Sequence, residues 1–266
     1  MSNLLDMHVY TNNTPGTKDK ISFLCETAVE KDLRGVAFTD VIELDDYDAF
    51  DLRRRVRHSF FDILKVKQLF FDSLTVFGGI ELRQAVTAPE EAKKIITSQK
   101  YDIVLTSVAR FGKNDEFSLS PGMREEDFAA FTKHYCDMLL KTVTETDFDV
   151  LSRPLAPLRS TTADYTYFEE NMKNVLTALA EKEKALEIDT KDILGSERIR
   201  DLYLRLLTFF KSAGGKYITI GSECVSRDEM GAGIEITMNA ARRAGFEEIT
   251  FYDQRIPYTV KHLAYL

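Results

Sequence analysis

Tyr101-Asp102-Ile103-Val104-Leu105-Thr106-Ser107-Val108 is the stretch that decides the fold. Its centre, Ile103-Val104-Leu105, is an unbroken apolar run, as a strand covered on both faces should be. Its C-terminal end turns polar at Thr106 and Ser107. The pattern recurs at 4–10, 35–39, 74–82, 148–151, 185–189 and 217–221. Polar residues close nearly every run: Asp6 and His8, Thr39 and Asp40, Glu81 and Arg83, Ser152 and Arg153, Asp189 and Thr190, Ser222 and Glu223.

Between these runs lie helical patterns. Segment 18–31 carries Ile21, Leu24, Cys25, Ala28 and Val29 at helical spacing. Segments 48–72, 89–98, 124–144, 168–183, 197–213 and 227–244 complete the set, with Pro89 suited to a first helical turn. Gly35, Gly214-Gly215 and Gly245 follow helices, where a left-handed cap is wanted. Gly214-Gly215-Lys216 lacks the spacing of a phosphate loop. Seven strands alternating with seven helices predict parallel strands joined by helical crossovers. A barrel and an open doubly wound sheet both satisfy that alternation. Polar ends on all seven strands favour the barrel, where they converge on one mouth. In an open sheet only those beside the switch point would meet.

The chain has 266 residues, 44% hydrophobic and 29% charged, an ordinary globular balance. A chain of this size can bury about 73% of its unfolded surface. The length suits one barrel domain over 1–266, although two domains of about 130 residues also fit it. A net charge of -8 argues against nucleic acid and anionic membranes as partners. Cys25, Cys136 and Cys224 form no paired framework, which points to a reducing cytoplasm. The first residues do not read as a secretory signal, and no apolar run reaches membrane-spanning length. Only four histidines are present: His8, His58, His134 and His262.

The strand ends also carry a resemblance. Asp6-Met7-His8-Val9-Tyr10, Phe38-Thr39-Asp40-Val41, Gly79-Ile80-Glu81, Thr106-Ser107-Val108-Ala109, Asp149-Val150-Leu151-Ser152-Arg153-Pro154 and Gly221-Ser222-Glu223-Cys224-Val225 occur in that order. Together they resemble the motif series of the PHP (polymerase and histidinol phosphatase) family, and within it the histidinol-phosphate phosphatase type. The resemblance implies a distorted seven-stranded (β/α)7 barrel, TIM-like in layout. It also implies a site with two or three divalent metals that activate water against a phosphate ester. Such chemistry needs neutral imidazoles and carboxylates at about 2.0–2.2 Å from each metal.

Here the chain departs from the family it resembles. Where the first motif has His-x-His, it has His8 and Tyr10; where the second has Thr-Asp-His, it has Thr39-Asp40-Val41. Glu81 is kept, Ala109 and Arg153 stand where histidines are expected, and the last motif has Glu223 for Asp and Val225 for His. Of eight compared positions two are kept, one is replaced conservatively and five are lost. Valine and alanine have no lone pairs, and arginine stays protonated. A metal remnant of His8, Glu81 and Glu223 would hold at best one weak zinc, manganese or iron ion, and no resident cofactor is expected. Arg83, Arg110 and Arg153 are candidate anion-binding residues, replacing metal as the counter-charge of Glu81 and Glu223. Asp6, Tyr10, Asp40 and Cys224 are expected to line the same mouth. The reading is a metal-free phosphatase relative that binds a small phosphorylated or carboxylate ligand. The alternative is an active phosphoesterase with a metal-poor site.

Other constellations carry less. Arg53-Arg54-Arg55-Val56-Arg57-His58 reads as a solvated helix face offset by Asp45, Asp46, Asp48 and Asp51. Ser107 and Ser222 lack a histidine partner for a hydrolase triad. Cys224 is a nucleophile only if Arg153 lowers its pKa; a small buried core residue is the simpler role.

Overall fold

The computed structural model describes residues 4–44, 49–110, 119 and 122–261. Asp45, Asp46, Asp48 and His262 lie outside them. In chain order the elements are β1 (Leu5–Val9), α1 (Ile21–Glu30), β2 (Gly35–Phe38), β3 (Val41–Glu43) and α2 (Ala49–Leu69). Then come β4 (Thr75–Arg83), α3 (Pro89–Ser98), β5 (Ile103–Ser107), α4 (Glu125–Glu145), β6 (Val150–Leu151) and α5 (Thr166–Glu181). The chain continues through β7 (Ala185–Asp189), α6 (Thr190–Leu194), α7 (Glu197–Ser212), β8 (Ile218–Gly221) and α8 (Ile234–Arg243). It ends in β9 (Glu248–Asp253) and β10 (Ile256–Lys261).

Seven strands pair in parallel in the order β1-β2-β4-β5-β6-β7-β8, with short β3 added beside β4. Parallel neighbours force each connection to cross back over the sheet, which the helices do. The ends of the path nearly close. Tyr10 N–H donates to the Cys224 carbonyl at 3.1 Å, and Asp6 accepts from Ser222 N–H at 3.0 Å and from its hydroxyl at 2.6 Å. The architecture is therefore the distorted seven-stranded β/α barrel that the strand ends implied.

Two apolar layers hold it. The larger lies between strands and helices, with Leu24, Ile63, Leu139, Phe168 and Leu206 among its buried members. The smaller fills the barrel interior: Leu5, Met7, Ala37, Phe77, Ile103, Leu105, Val150 and Ala185, closed below by Tyr252. That plug comes from the antiparallel β9–β10 hairpin. Arg255, at its turn, pairs with Asp147 at 2.7 Å and Asp149 at 2.9 Å.

The hairpin was not foreseen. Its turn residues Gln254 and Arg255 both have positive φ, 49° and 65°, but lack the Asn-Gly or Asp-Gly signature of such turns. Helix 227–244 is corrected to a 3-10 turn, Arg227–Glu229, followed by α8. Gly231 and Gly233 stand between them at φ 69° and 78°, a conformation no right-handed helix contains. Among the described residues, no helix is long and apolar enough to cross a membrane.

Candidate functional site at the barrel mouth

Alternation along each strand stacks an ionic layer on the apolar one. On β4, Phe77 lies in the interior cluster and Glu81, of the same parity, is fully buried above it. On β5, Ile103 and Leu105 lead to Ser107; on β7, Ala185 leads to Glu187 and Asp189. On β1 a register shift between Asp6 and Val9 inserts one extra residue. Such a bulge re-aims the side chains beyond it. Met7 therefore joins the interior layer while His8, its neighbour, reaches the carboxylates of the mouth.

Glu81 is the hub. Its Oε2 accepts from the Tyr10 hydroxyl at 2.7 Å and its Oε1 from the Ser107 hydroxyl at 2.5 Å. Arg83 Nε lies 3.3 Å from Oε1 and His8 Nε2 3.4 Å from Oε2. Burial opposes a charge on Glu81, but Arg83 and His8 hold its carboxyl well below the usual range. His8 Nδ1 lies 2.6 Å from Glu187 Oε1. Burial works against an imidazolium there, yet Glu187 and then Glu81 push the His8 pKa up to about 10.

A second cluster adjoins the first. The other oxygen of Glu187 accepts the Arg153 backbone N–H at 2.9 Å. The Arg153 guanidinium pairs with Glu223. Both residues sit in the left-handed region, φ 55° and 48°, which costs a non-glycine residue on the order of 1 kcal/mol or more. Arg159 then spans three carboxylates: Glu223 at 2.9 Å, Asp192 at 2.6 Å, and Asp189. Burial resists ionisation of Glu223, but Arg153 and Arg159 bring it down to about 2. Burial, with Glu223 and Asp192 beside it, raises Asp189 well above the ordinary carboxylate value. Nearer solvent, Glu43 is held between two guanidinium groups, Arg83 at 3.0 Å and Arg110 at 2.9 Å.

The structure thus brings His8, Tyr10, Glu81 and Arg83 together, and Arg153 with Glu223; Arg110 joins through Glu43. The remaining expected residues face elsewhere. Asp6 spends its carboxylate on Ser222, on His8 N–H at 3.4 Å and on Gly231 N–H at 3.2 Å. Asp40 accepts from Thr11, Thr14 and Ser59. Cys224 is buried, its thiol pushed up to about 12 by burial. His58 and His134 are exposed on α2 and α4.

Glu187, Arg159, Asp192 and Glu43 were not singled out from the sequence. Glu187 had a signal: it shares the parity of Asp189 on β7. Arg159 had none, because the 3-10 turn that carries it, Ala156–Ser160, has no period to read.

A metal cluster does not suit these side chains. Among the described residues, no group of three His, Cys, Asp or Glu side chains is placed to hold a metal ion. The donor chemistry says why. His8 Nε2 and Glu81 converge, but Arg83 and the Tyr10 hydroxyl already occupy Glu81. Glu223 is committed to two guanidinium groups. Val41 and Ala109 bring no lone pair.

A family model described as PHP domain matches residues 6–191, well over half of the chain. The chain belongs to the PHP domain family. The PHP match contains Arg153, Arg159, Glu187 and Asp189 and stops before Glu223. The histidinol-phosphatase of Lactococcus lactis subsp. lactis is 24% identical over 268 residues, covering 97% of this PHP chain and 98% of that protein. A Clostridium acetobutylicum relative named "Probable histidinol-phosphatase" is 22% identical over 264 residues, covering 95% and 98%. The crystal structure of the Lactococcus lactis histidinol phosphate phosphatase, complexed with zinc, L-histidinol and phosphate, matches with a TM-score of 0.82 at 22% identity. That match covers 97% of this chain and 100% of the other, and establishes the fold.

Proposed function

We propose that this PHP-family barrel, acting as one domain over 1–266, binds a small phosphorylated or carboxylate ligand without hydrolysing it. One observation carries the reading: guanidinium groups stand on the carboxylates that would otherwise hold metal. Arg83 pairs with Glu81, and Arg153 and Arg159 pair with Glu223. The charges of the mouth are met within the chain, so no metal is needed to offset them. The buried thiols suit a reducing cytoplasm.

The ligand's place follows from Glu43. It is the most exposed acid of the group, 30% at its side chain, and Arg83 and Arg110 each hold one of its oxygens. A phosphate or carboxylate entering the mouth takes over both guanidinium groups while Glu43 turns to water. That exchange strands no buried charge and reuses a two-pronged anion geometry. The likeness to a phosphatase solved with phosphate and L-histidinol supports a small phosphorylated ligand.

A second reading, an active phosphoesterase, is favoured by one detail. His8 is anchored through Nδ1 on a carboxylate with Nε2 turned into the mouth, as metal-bound imidazoles commonly are. Calorimetric titration of the metal-stripped protein with inorganic phosphate separates the two. The proposal predicts saturable heat, weakened at least tenfold in Arg110→Ala and strengthened in Glu43→Gln. Absence of heat overturns ligand binding. Zinc-dependent turnover of histidinol phosphate, abolished by Glu81→Gln, would establish the second reading instead.

A further inference from the structure

Helix α2 is finished on one side only. Leu52, Val56, Phe60, Ile63 and Val66 are buried against the barrel. On the opposite face Arg54, Arg57, Phe61, Leu64 and Gln68 are exposed. Their spacing alternates three and four residues, the seam by which one helix packs along another. Phe61 is 57% exposed, Leu64 48%, Leu69 72%, and Phe71, in the turn that follows, 81%. Four large apolar side chains left open on one helix and its exit expose on the order of 400 Å² of apolar surface, near the largest patch of an ordinary monomer.

The charges on this face indicate what covers it. Its cations, Arg53, Arg54 and Arg57, gather in the first half of α2, while Phe71 and Asp72 follow its end. Lys65 is already met within its own helix, 3.0 Å from Asp62 and 4.3 Å from the Phe61 ring centroid. Lys67 is met by Asp102 at 2.9 Å. We propose that α2 pairs with α2 of a second copy of this chain, antiparallel, about a two-fold axis beside Phe61 and Leu64. Phe61 then lies against the partner's Leu64, and Arg57 against the partner's Gln68. Arg54 meets the partner's Phe71 and Arg53 the partner's Asp72. Guanidinium groups face a ring and a carboxylate, whereas a parallel pairing sets arginine on arginine. The contact is isologous, as a two-fold interface must be.

Phe61, Leu64 and Phe71 of both copies offer on the order of 600 Å² of apolar area, to which the arginine stems add; the total stays below the roughly 1,200 Å² of a standard specific interface, in the range of weak, transient contacts. The dimer is therefore reversible, dissociating on the order of micromolar concentration.

Sedimentation velocity of the full chain across about 1–100 μM reads this directly. The wild type is expected to move from one to two copies over that range. Phe61→Glu, a change at an exposed side chain checked for folding by circular dichroism, is expected to stay monomeric. Arg53→Asp should weaken the dimer at least tenfold, and adding Asp72→Arg to it should restore association. A wild type that remains monomeric throughout overturns the proposal, as does a dimer indifferent to Phe61→Glu. So does a monomer that binds phosphatidylserine vesicles through this face, losing them with Phe61→Glu.

Discussion

Replacing Arg159 by alanine withdraws one cation from three buried carboxylates. Asp189 and Asp192 are fully buried and Glu223 nearly so, while the Arg159 side chain is 29% exposed. A buried carboxylate stripped of its partner costs about 3–5 kcal/mol. Glu223 keeps Arg153, and Asp189 keeps the Lys191 N–H at 2.8 Å, so Asp192 and Asp189 bear most of the loss. Water reaching the partly open arginine position offsets some of it. The expected net loss is about 3 kcal/mol, out of a total stability of about 5–15 kcal/mol. For a chain of this length that lowers Tm by about 6–12 °C. The loss also carries a pH signature. Burial already raises the pKa of Asp189 and Asp192, and removing Arg159 raises both further. A carboxyl whose folded pKa lies above its unfolded value costs stability at neutral pH, and the cost is relieved as pH falls through the folded value. The deficit of Arg159→Ala should thus be largest near neutrality and shrink toward about pH 5. Urea denaturation followed by circular dichroism at both pH values measures it. A deficit below about 1 kcal/mol, or one equal at both pH values, refutes Arg159 as the counter-charge of this cluster.

Three further outcomes follow from the same geometry. Gly221→Ala would place a Cβ on the Cβ of His8 and 2.5 Å from Glu187 Oε1, so it should cost about 1–3 kcal/mol in thermal melts; an unchanged Tm contradicts it. Burial pushes Cys25, Cys136 and Cys224 each to about 12, so a disulfide reagent at about pH 8 should label none in the native protein and all three after denaturation. Rapid native labelling of any one would show its environment to be misread. Arg255→Ala leaves Asp149 buried without its cation and should cost about 2 kcal/mol, with faster amide exchange confined to β9 and β10; exchange spread evenly over the barrel would contradict a local clamp.

Much of this architecture was legible in the chain because it rests on period and punctuation. All seven barrel strands lie where apolar runs end in polar residues, down to β6, which shrinks to Val150–Leu151. The misses have physical causes. The β9–β10 hairpin turns on Gln254 and Arg255, whose left-handed conformation is imposed by tertiary contacts: Arg255 N–H donates to the Asp102 carbonyl at 2.8 Å and its side chain holds Asp147 and Asp149. The β1 bulge turns His8 into the mouth, and a strict period of two does not foresee it. Strand-end residues such as Glu81, Arg83 and Glu223 could be placed by topology alone. Arg159 could not, because an irregular 3-10 turn delivers it. Asp6 and Asp40 show the opposite limit. Asp40 follows β2 as site residues do and Asp6 lies in the run that supplies His8, yet their carboxylates are spent on nearby N–H and hydroxyl groups. Polarity in or after a strand does not distinguish those two uses.

The most direct test of the whole account is metal content. The purified protein, incubated with excess zinc or manganese and then desalted, should carry well under one equivalent by mass spectrometric elemental analysis. It should also leave histidinol phosphate intact. Two or three tightly held equivalents, with turnover that disappears on chelation, would contradict the claim that guanidinium groups have taken the place of metal at this barrel mouth.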